Sequence, residues 1–107
     1  YLTLQMIAWF KANSSRTHIV ADVALYQPFR HYDMLGNVWE WCWDWYDAYP
    51  TEAVTDYAGP ESGIDHRVVR GGAWDRDARH CRAGNRDYCD VDGRLSSAGF
   101  RLVRTYP

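Results

Sequence analysis

From Val38 to Trp45 the chain alternates without a break: Trp39, Trp41, Trp43 and Trp45 are separated by Glu40, Cys42 and Asp44. A repeat of two is the period of a strand and has no counterpart on a helical face, so this stretch predicts a β-strand with all the indoles on one side. Each buried aromatic withdraws roughly 150–250 Å² from water, enough for such a stripe to serve as the main core of a domain with little regular structure. Gly36-Asn37, immediately upstream, predicts the turn that starts it.

The remaining patterns are shorter. In residues 2–12, Leu2, Met6 and Phe10 share a helical face and predict one or two turns. Residues 13–18 are small and polar, which is loop chemistry. Tyr46 to Arg67 contains Pro50, Gly59-Pro60 and Ser62-Gly63 and reads as one long, turn-rich loop. Val68-Val69 predicts a short strand stopped by Gly71-Gly72, and residues 81–99 read mostly as loop. Residues 99–106 alternate again and predict a closing strand with Phe100 and Leu102 inward and Arg101 and Arg104 outward.

Composition changes this picture little. The 107 residues, 47% apolar and 24% charged, suit one small globular domain rather than a disordered chain. No apolar run is long enough to span a bilayer, and no signal peptide is in view. Charge is uneven: residues 1–66 hold nine acids against three bases, and residues 67–107 hold nine arginines against five aspartates. Those arginines are dispersed among the aspartates, which fits internal guanidinium pairing and argues against a nucleic-acid surface. The three cysteines, Cys42, Cys81 and Cys89, have no zinc-type spacing. A Cys81–Cys89 disulfide stays open, and so does the compartment. His18, His31, His66 and His80 lack ligand spacing and read as loop or surface residues.

The segments "YDMLGNVWEWCWDWY" (32–46), "GPESG" (59–63), "RVVRGGAW" (67–74), "CRAGNR" (81–86) and "GFRLVRT" (99–105), with "AWFKANSSRTH" (8–18) ahead of them, resemble the formylglycine-generating-enzyme and sulfatase-modifying-factor family. The resemblance implies an α+β, C-type-lectin-like fold with short strands, long loops and little regular secondary structure. It implies a single domain over residues 1–107, the C-terminal part of a family domain about twice as long. It also implies a calcium site at the turn before the tryptophans, from the Asn37 and Glu40 side chains and the Val38 carbonyl, donors of the hard oxygen type calcium takes. The alternative is that Asn37 shapes the turn and Glu40 pairs with an arginine.

Enzymes of this family oxidise a substrate cysteine with copper held by two cysteines. Here the corresponding interval, "AWDRDARHCRAGNR", keeps Cys81 and puts Ala78 where the second thiol would stand. Cu(I) prefers a thiolate pair, so no copper is expected and formylglycine generation is not. "QPFRHYDM" (27–34) also departs from the family, with Arg30 and His31 replacing a glycine and an apolar residue.

The last third further resembles the variable proteins of diversity-generating retroelements, which display hypermutated ligand-binding residues on this fold. Laid on that arrangement, the fixed scaffold is Arg70, Gly71, Gly72, Trp74, Ala78, Arg79, Cys81, Arg82, Arg86, Arg94, Gly99, Phe100, Arg101 and Leu102. The ligand-binding positions are Asp75, Asp77, His80, Gly84, Asp87, Tyr88, Cys89, Asp90, Gly93, Leu95, Ser96 and Ser97. Randomised adenines in an AAC codon never give Lys, Glu, Gln, Met or Trp, and none of these occurs from Asp75 to Ala98. The mixture of tyrosine with small polar residues also suits a paratope. The expected function is therefore non-catalytic binding of a protein or surface glycan, with cell-surface or virion display if the retroelement resemblance holds. The alternative is a sulfatase-modifying domain, active or accessory, with further parts N-terminal to Tyr1.

Overall fold

The computed structural model describes residues 2–22, 31–63 and 65–106. Helix α1, Leu2–Gln5, is a single turn. Four strands follow: β1, Trp39–Trp45; β2, His66–Arg70; β3, Asp87–Asp90; and β4, Ala98–Gly99. They form one sheet in the order β3-β2-β1-β4. β2 runs antiparallel to both β1 and β3, while β4 pairs parallel to the start of β1. Long connections fill the rest, so the architecture is the α+β, loop-rich one expected.

The tryptophan strand forms where the alternation placed it, but its depth varies along its length. Trp39 is buried and packs with Val69, Ala73 and Cys89, with Trp41 and Ala98 against this cluster. Trp43 is 85% exposed, which corrects the expectation of a stripe buried throughout. The cause is local: the β1–β2 register shifts between Trp41 and Trp45, and β4 reaches only Trp39 and Glu40. Trp45 is half-buried beneath the Arg67 guanidinium, which lies 3.6 Å from its ring centroid.

A second cluster joins Ala8, Phe10 and Cys81, with Leu4, Leu35 and Ala78 around it. Phe10 is thus in the core as expected, whereas Met6 is exposed and the helix stops before it; the side chain of Leu2 lies outside the described residues. The turn before β1 ties together the segments that carry the two clusters. Gly36 has φ of 74° and Asn37 of 66°. The Asn37 N–H donates to the Trp9 carbonyl and the Gly36 N–H to the Gly71 carbonyl, both at 2.7 Å. Left-handed backbone at both positions brings three distant segments together, and only glycine adopts it without cost.

The closing strand is also corrected. It ends at Gly99, and Phe100, Leu102, Val103 and Tyr106 are exposed. Arg101 is the residue of this segment that ties back to the sheet, with its side chain 34% exposed. Its Nε and Nη2 donate to the two Glu40 carboxylate oxygens at 3.0 and 2.7 Å, and Nη2 also donates to the carbonyls of Tyr32 and Asp33 at 2.9 and 3.0 Å. A charged fork with these acceptors outweighs burial of one phenylalanine at the edge of so small a core.

Candidate functional site

β3 divides the expected ligand-binding positions by its own period. Asp87 lies opposite Val69 and Cys89 opposite Arg67, whereas Tyr88 lies opposite Val68 and Asp90 opposite His66. Successive side chains point to opposite faces, so these positions do not form one surface. Cys89 is buried in the cluster around Trp39. Ser97 is 4% exposed, and its carbonyl accepts the Trp39 N–H at 2.7 Å. A Cβ on Gly93 would stand 2.9 Å from the Asp90 carbonyl oxygen and 3.0 Å from the Cys89 sulfur. Cys89, Gly93 and Ser97 therefore belong to the framework, contrary to the placement expected for display positions.

Three others are half-buried. The Asp75 carboxylate lies 3.7 Å from Arg76 Nε, Asp87 accepts the Tyr88 N–H at 2.9 Å, and the His80 ring stands edge-on to Trp39 at 6.0 Å. Asp77, Gly84, Tyr88, Asp90, Leu95 and Ser96 are exposed.

Tyr88 and Asp90 sit in a patch that includes residues the sequence reading passed over. The His66 Nε2 is 2.9 Å from the Asp90 carboxylate, and its ring centroid is 4.6 Å from that of Tyr88. Tyr46 also packs against Tyr88, with ring centroids 4.8 Å apart. Arg86 spreads over Tyr49 at 4.0 Å and Tyr46 at 5.3 Å, and its Nη2 donates to the Asp47 carbonyl at 2.8 Å. Beside it opens a cavity of about 320 Å³ lined by Asp44, Asp47, Tyr49, Tyr57, Arg70 and Arg86 among others. The signal in the sequence was the run of tyrosines at 46, 49 and 57 inside a stretch read only as turns.

The arginines do pin loops, but mainly through carbonyl oxygens. Arg70 donates to the Ala83 carbonyl at 3.1 Å, Arg82 to that of Arg79 at 3.0 Å, and Arg67 to that of Trp43. Among the described residues, Arg79, 3.5 Å from Asp77, and Arg101 are the scaffold arginines that pair with carboxylates, and Arg94 is exposed. Binding backbone instead of side chains has a consequence: the neighbouring residue types can change while the clamp persists.

At the turn before β1 the two side chains expected to hold calcium are engaged with the protein. The Asn37 side-chain oxygen accepts the His18 N–H at 2.9 Å, and its amide donates to the His18 carbonyl at 3.2 Å. Glu40 is held in the Arg101 fork, which keeps that guanidinium charged beyond its ordinary range through the Glu40 hydrogen bonds. Asn37 thus shapes the turn and Glu40 pairs with an arginine, so a calcium ion at this turn would have to displace these partners. Among the described residues no three of His, Cys, Asp and Glu gather as metal ligands. Residues 27–30 of the approach segment lie outside the described residues; His31 is exposed.

All three thiols are free, so Cys81 and Cys89 are not bridged. Burial pushes the Cys81 thiol pKa up; burial and then Asp90 raise that of Cys89, and burial and then Asp44 raise that of Cys42. A raised folded-state pKa means that thiol burial stabilises the fold below the unfolded thiol pKa and ceases to do so as pH rises through the folded one. At neutral pH Cys81 is a protonated core residue with Ala78 packed in the same cluster.

A small sheet with long connections clamped by side chains is the C-type-lectin-like class. The chain belongs to the family of the sulfatase-modifying factor enzyme 1-like domain, whose model matches residues 4–106. It is 35% identical over 90 residues to the formylglycine-generating enzyme of Streptomyces coelicolor, covering 78% of this chain and 28% of that enzyme. It is 40% identical over 81 residues to the serine/threonine-protein kinase pkn1 of Chlamydia caviae, covering 72% of this chain and 13% of the kinase. Among solved structures, Treponema denticola variable protein 1 superposes with a TM-score of 0.77 at 38% identity, covering 92% of this chain and 36% of that one. The chain thus spans less than a third of either curated relative. No helix among the described residues is long and apolar enough to cross a membrane.

Proposed function

We propose that this domain is a non-catalytic binding module that presents exposed side chains of its C-terminal loops, together with the Tyr46–Arg86 patch, to a protein or surface glycan. The observation that carries this reading is the separation along one segment between framework and display. Cys81, Cys89 and Ser97 are buried, while Asp77, Gly84, Tyr88, Asp90, Leu95 and Ser96 between and around them face solvent. Function on loops held by a fixed frame is the expected division for a binding fold. Likeness to a variable protein supports it, and so does an interval that keeps only one thiol where copper chemistry needs two.

The DNA beside the gene tests the retroelement form of this reading. A near-identical copy of the segment encoding residues 75–97 is expected, differing at adenines in the codons of the exposed positions. A flanking region without such a copy removes that reading. Turnover of a Cys-x-Pro-x-Arg peptide with copper and oxygen by the whole protein would replace binding with oxidation.

A further inference from the structure

The long connection from β1 to β2 borders a cavity of about 320 Å³ whose polar lining is Asp44, Asp47, Tyr49, Tyr57, Arg70 and Arg86. That volume lies at the small end of ligand pockets, with room for one ring and not for a folded segment. The wall is fixed from behind. A Cβ on Gly59 would lie 2.7 Å from that of Asp44, and Arg86 is held by the Asp47 carbonyl and the Tyr49 ring.

Charge limits what the cavity accepts. Its two carboxylates and two guanidinium groups balance, and none of the four takes part in an ion pair among the described residues. An anion would meet the carboxylates, a cation would meet the arginines, and an apolar molecule would strand all four. The hydrogen-bonding capacity left over is of both kinds. Arg70 donates through Nη1 to the Ala83 carbonyl and Arg86 through Nη2 to the Asp47 carbonyl, which leaves further N–H groups on each fork. The Arg86 Nε has no acceptor. The Asp47 carboxylate accepts the Ala48 N–H, and that of Asp44 accepts no hydrogen bond among the described residues. A neutral molecule with several hydroxyls uses both kinds, because each hydroxyl gives and takes.

The tyrosines add a second requirement. Tyr57 is 47% exposed, and among the described residues no ring or cation stacks on it. Tyr49 is 64% exposed with Arg86 over one face. An aromatic face is electron-rich and favours weakly positive C–H groups. A pyranose carries hydroxyls around its rim and C–H groups on its face, whereas a peptide amide supplies the polar half alone.

We infer that this cavity binds one neutral pyranose residue of a glycan, its hydroxyls between Asp44 and the Arg70 and Arg86 forks and its C–H face on Tyr57. No cation is needed to hold it. The inference rests on the reading above that the Tyr46–Arg86 patch is a binding surface, and it names the ligand class of that patch. It does not depend on the C-terminal positions being variable.

The probes are the methyl glycosides of glucose, mannose and galactose, followed by saturation-transfer NMR on the full chain. Saturable transfer to at least one is expected, strongest at its ring C–H groups, with a dissociation constant of roughly millimolar order. Binding should be equal at low and physiological salt, because the ligand is uncharged, and equal with calcium or a chelator. Tyr57→Ala and Asp44→Asn should each weaken it at least about fivefold. Both should melt near the parent, since a half-exposed loop tyrosine and an isosteric amide disturb packing little. Tyr88→Ser with Leu95→Ser should leave it unchanged. Absence of transfer to all three glycosides, or binding unaltered in Tyr57→Ala and Asp44→Asn, would overturn the inference. So would an equal response to glycine or to N-acetylglycine methylamide, or loss of binding in the Tyr88 and Leu95 variant. A template copy in the flanking DNA without glycoside binding would sink this inference and leave the binding module standing. Peptide oxidation with glycoside binding intact would do the reverse.

Discussion

Gly36→Ala is expected to leave little folded protein at 25 °C, the largest effect of any single methyl group in this chain. At φ of 74° the added Cβ would collide with the Trp9 carbonyl oxygen, which is backbone and cannot rotate away. That oxygen also accepts the Asn37 N–H, so relief of the clash breaks the junction joining the N-terminal segment to β1. Left-handed strain and overpacking together cost about 3–5 kcal/mol, most of the stability of a small domain. Circular dichroism with urea titration measures it. Gly84→Ala is the matched control: nothing lies within 4 Å of its Cβ, so the midpoint should move little.

Arg101→Ala is expected to cost about 2 kcal/mol, on the order of a 10 °C drop in melting temperature. The figure is kept low because the Arg101 side chain is 34% exposed. Its loss deprives the carbonyls of Tyr32 and Asp33 of one donor and leaves the Glu40 carboxylate, 22% exposed, without its cation. Arg101→Lys should recover only part, since an ammonium cannot fork two carboxylate oxygens while reaching two carbonyls. The same geometry predicts that calcium or a chelator shifts the parent's melting curve little, because the guanidinium already supplies the positive charge at Glu40. A fall in melting temperature on chelation would instead place calcium at this turn.

The sequence revealed the elements whose signals are local. The alternation from Val38 to Trp45 reports a strand because the period belongs to the backbone, and Gly36-Asn37 reports its turn because few residues accept that φ. Alternation tells which side a residue takes and says nothing of what lies beneath it, so Trp43 was expected in a core that ends at Trp41. β3 was illegible because Asp87–Asp90 sits among turn formers and becomes a strand only by pairing with β2. The tail was misread as a strand because what holds it is Arg101, whose acceptors are more than sixty residues away.

The site divides in the same way. Scaffold positions such as Gly72 and Cys81 were readable, and both are buried where they touch: a Cβ on Gly72 would meet the Cys81 sulfur at 2.7 Å. Cys89 and Ser97 were not separable from Tyr88 and Ser96, since neighbouring residues of one loop differ only in the side they face. The patch of His66, Tyr46 and Arg86 assembles across three segments, and no spacing announces it.

The most direct test of the division between frame and display is a pair of libraries sorted by resistance to protease. One randomises Asp77, Gly84, Tyr88, Asp90, Leu95 and Ser96 together; the other randomises Gly72, Cys81, Cys89, Ser97 and Arg101. Most members of the first are expected to survive like the parent, and few of the second. Equal collapse of both libraries would contradict it.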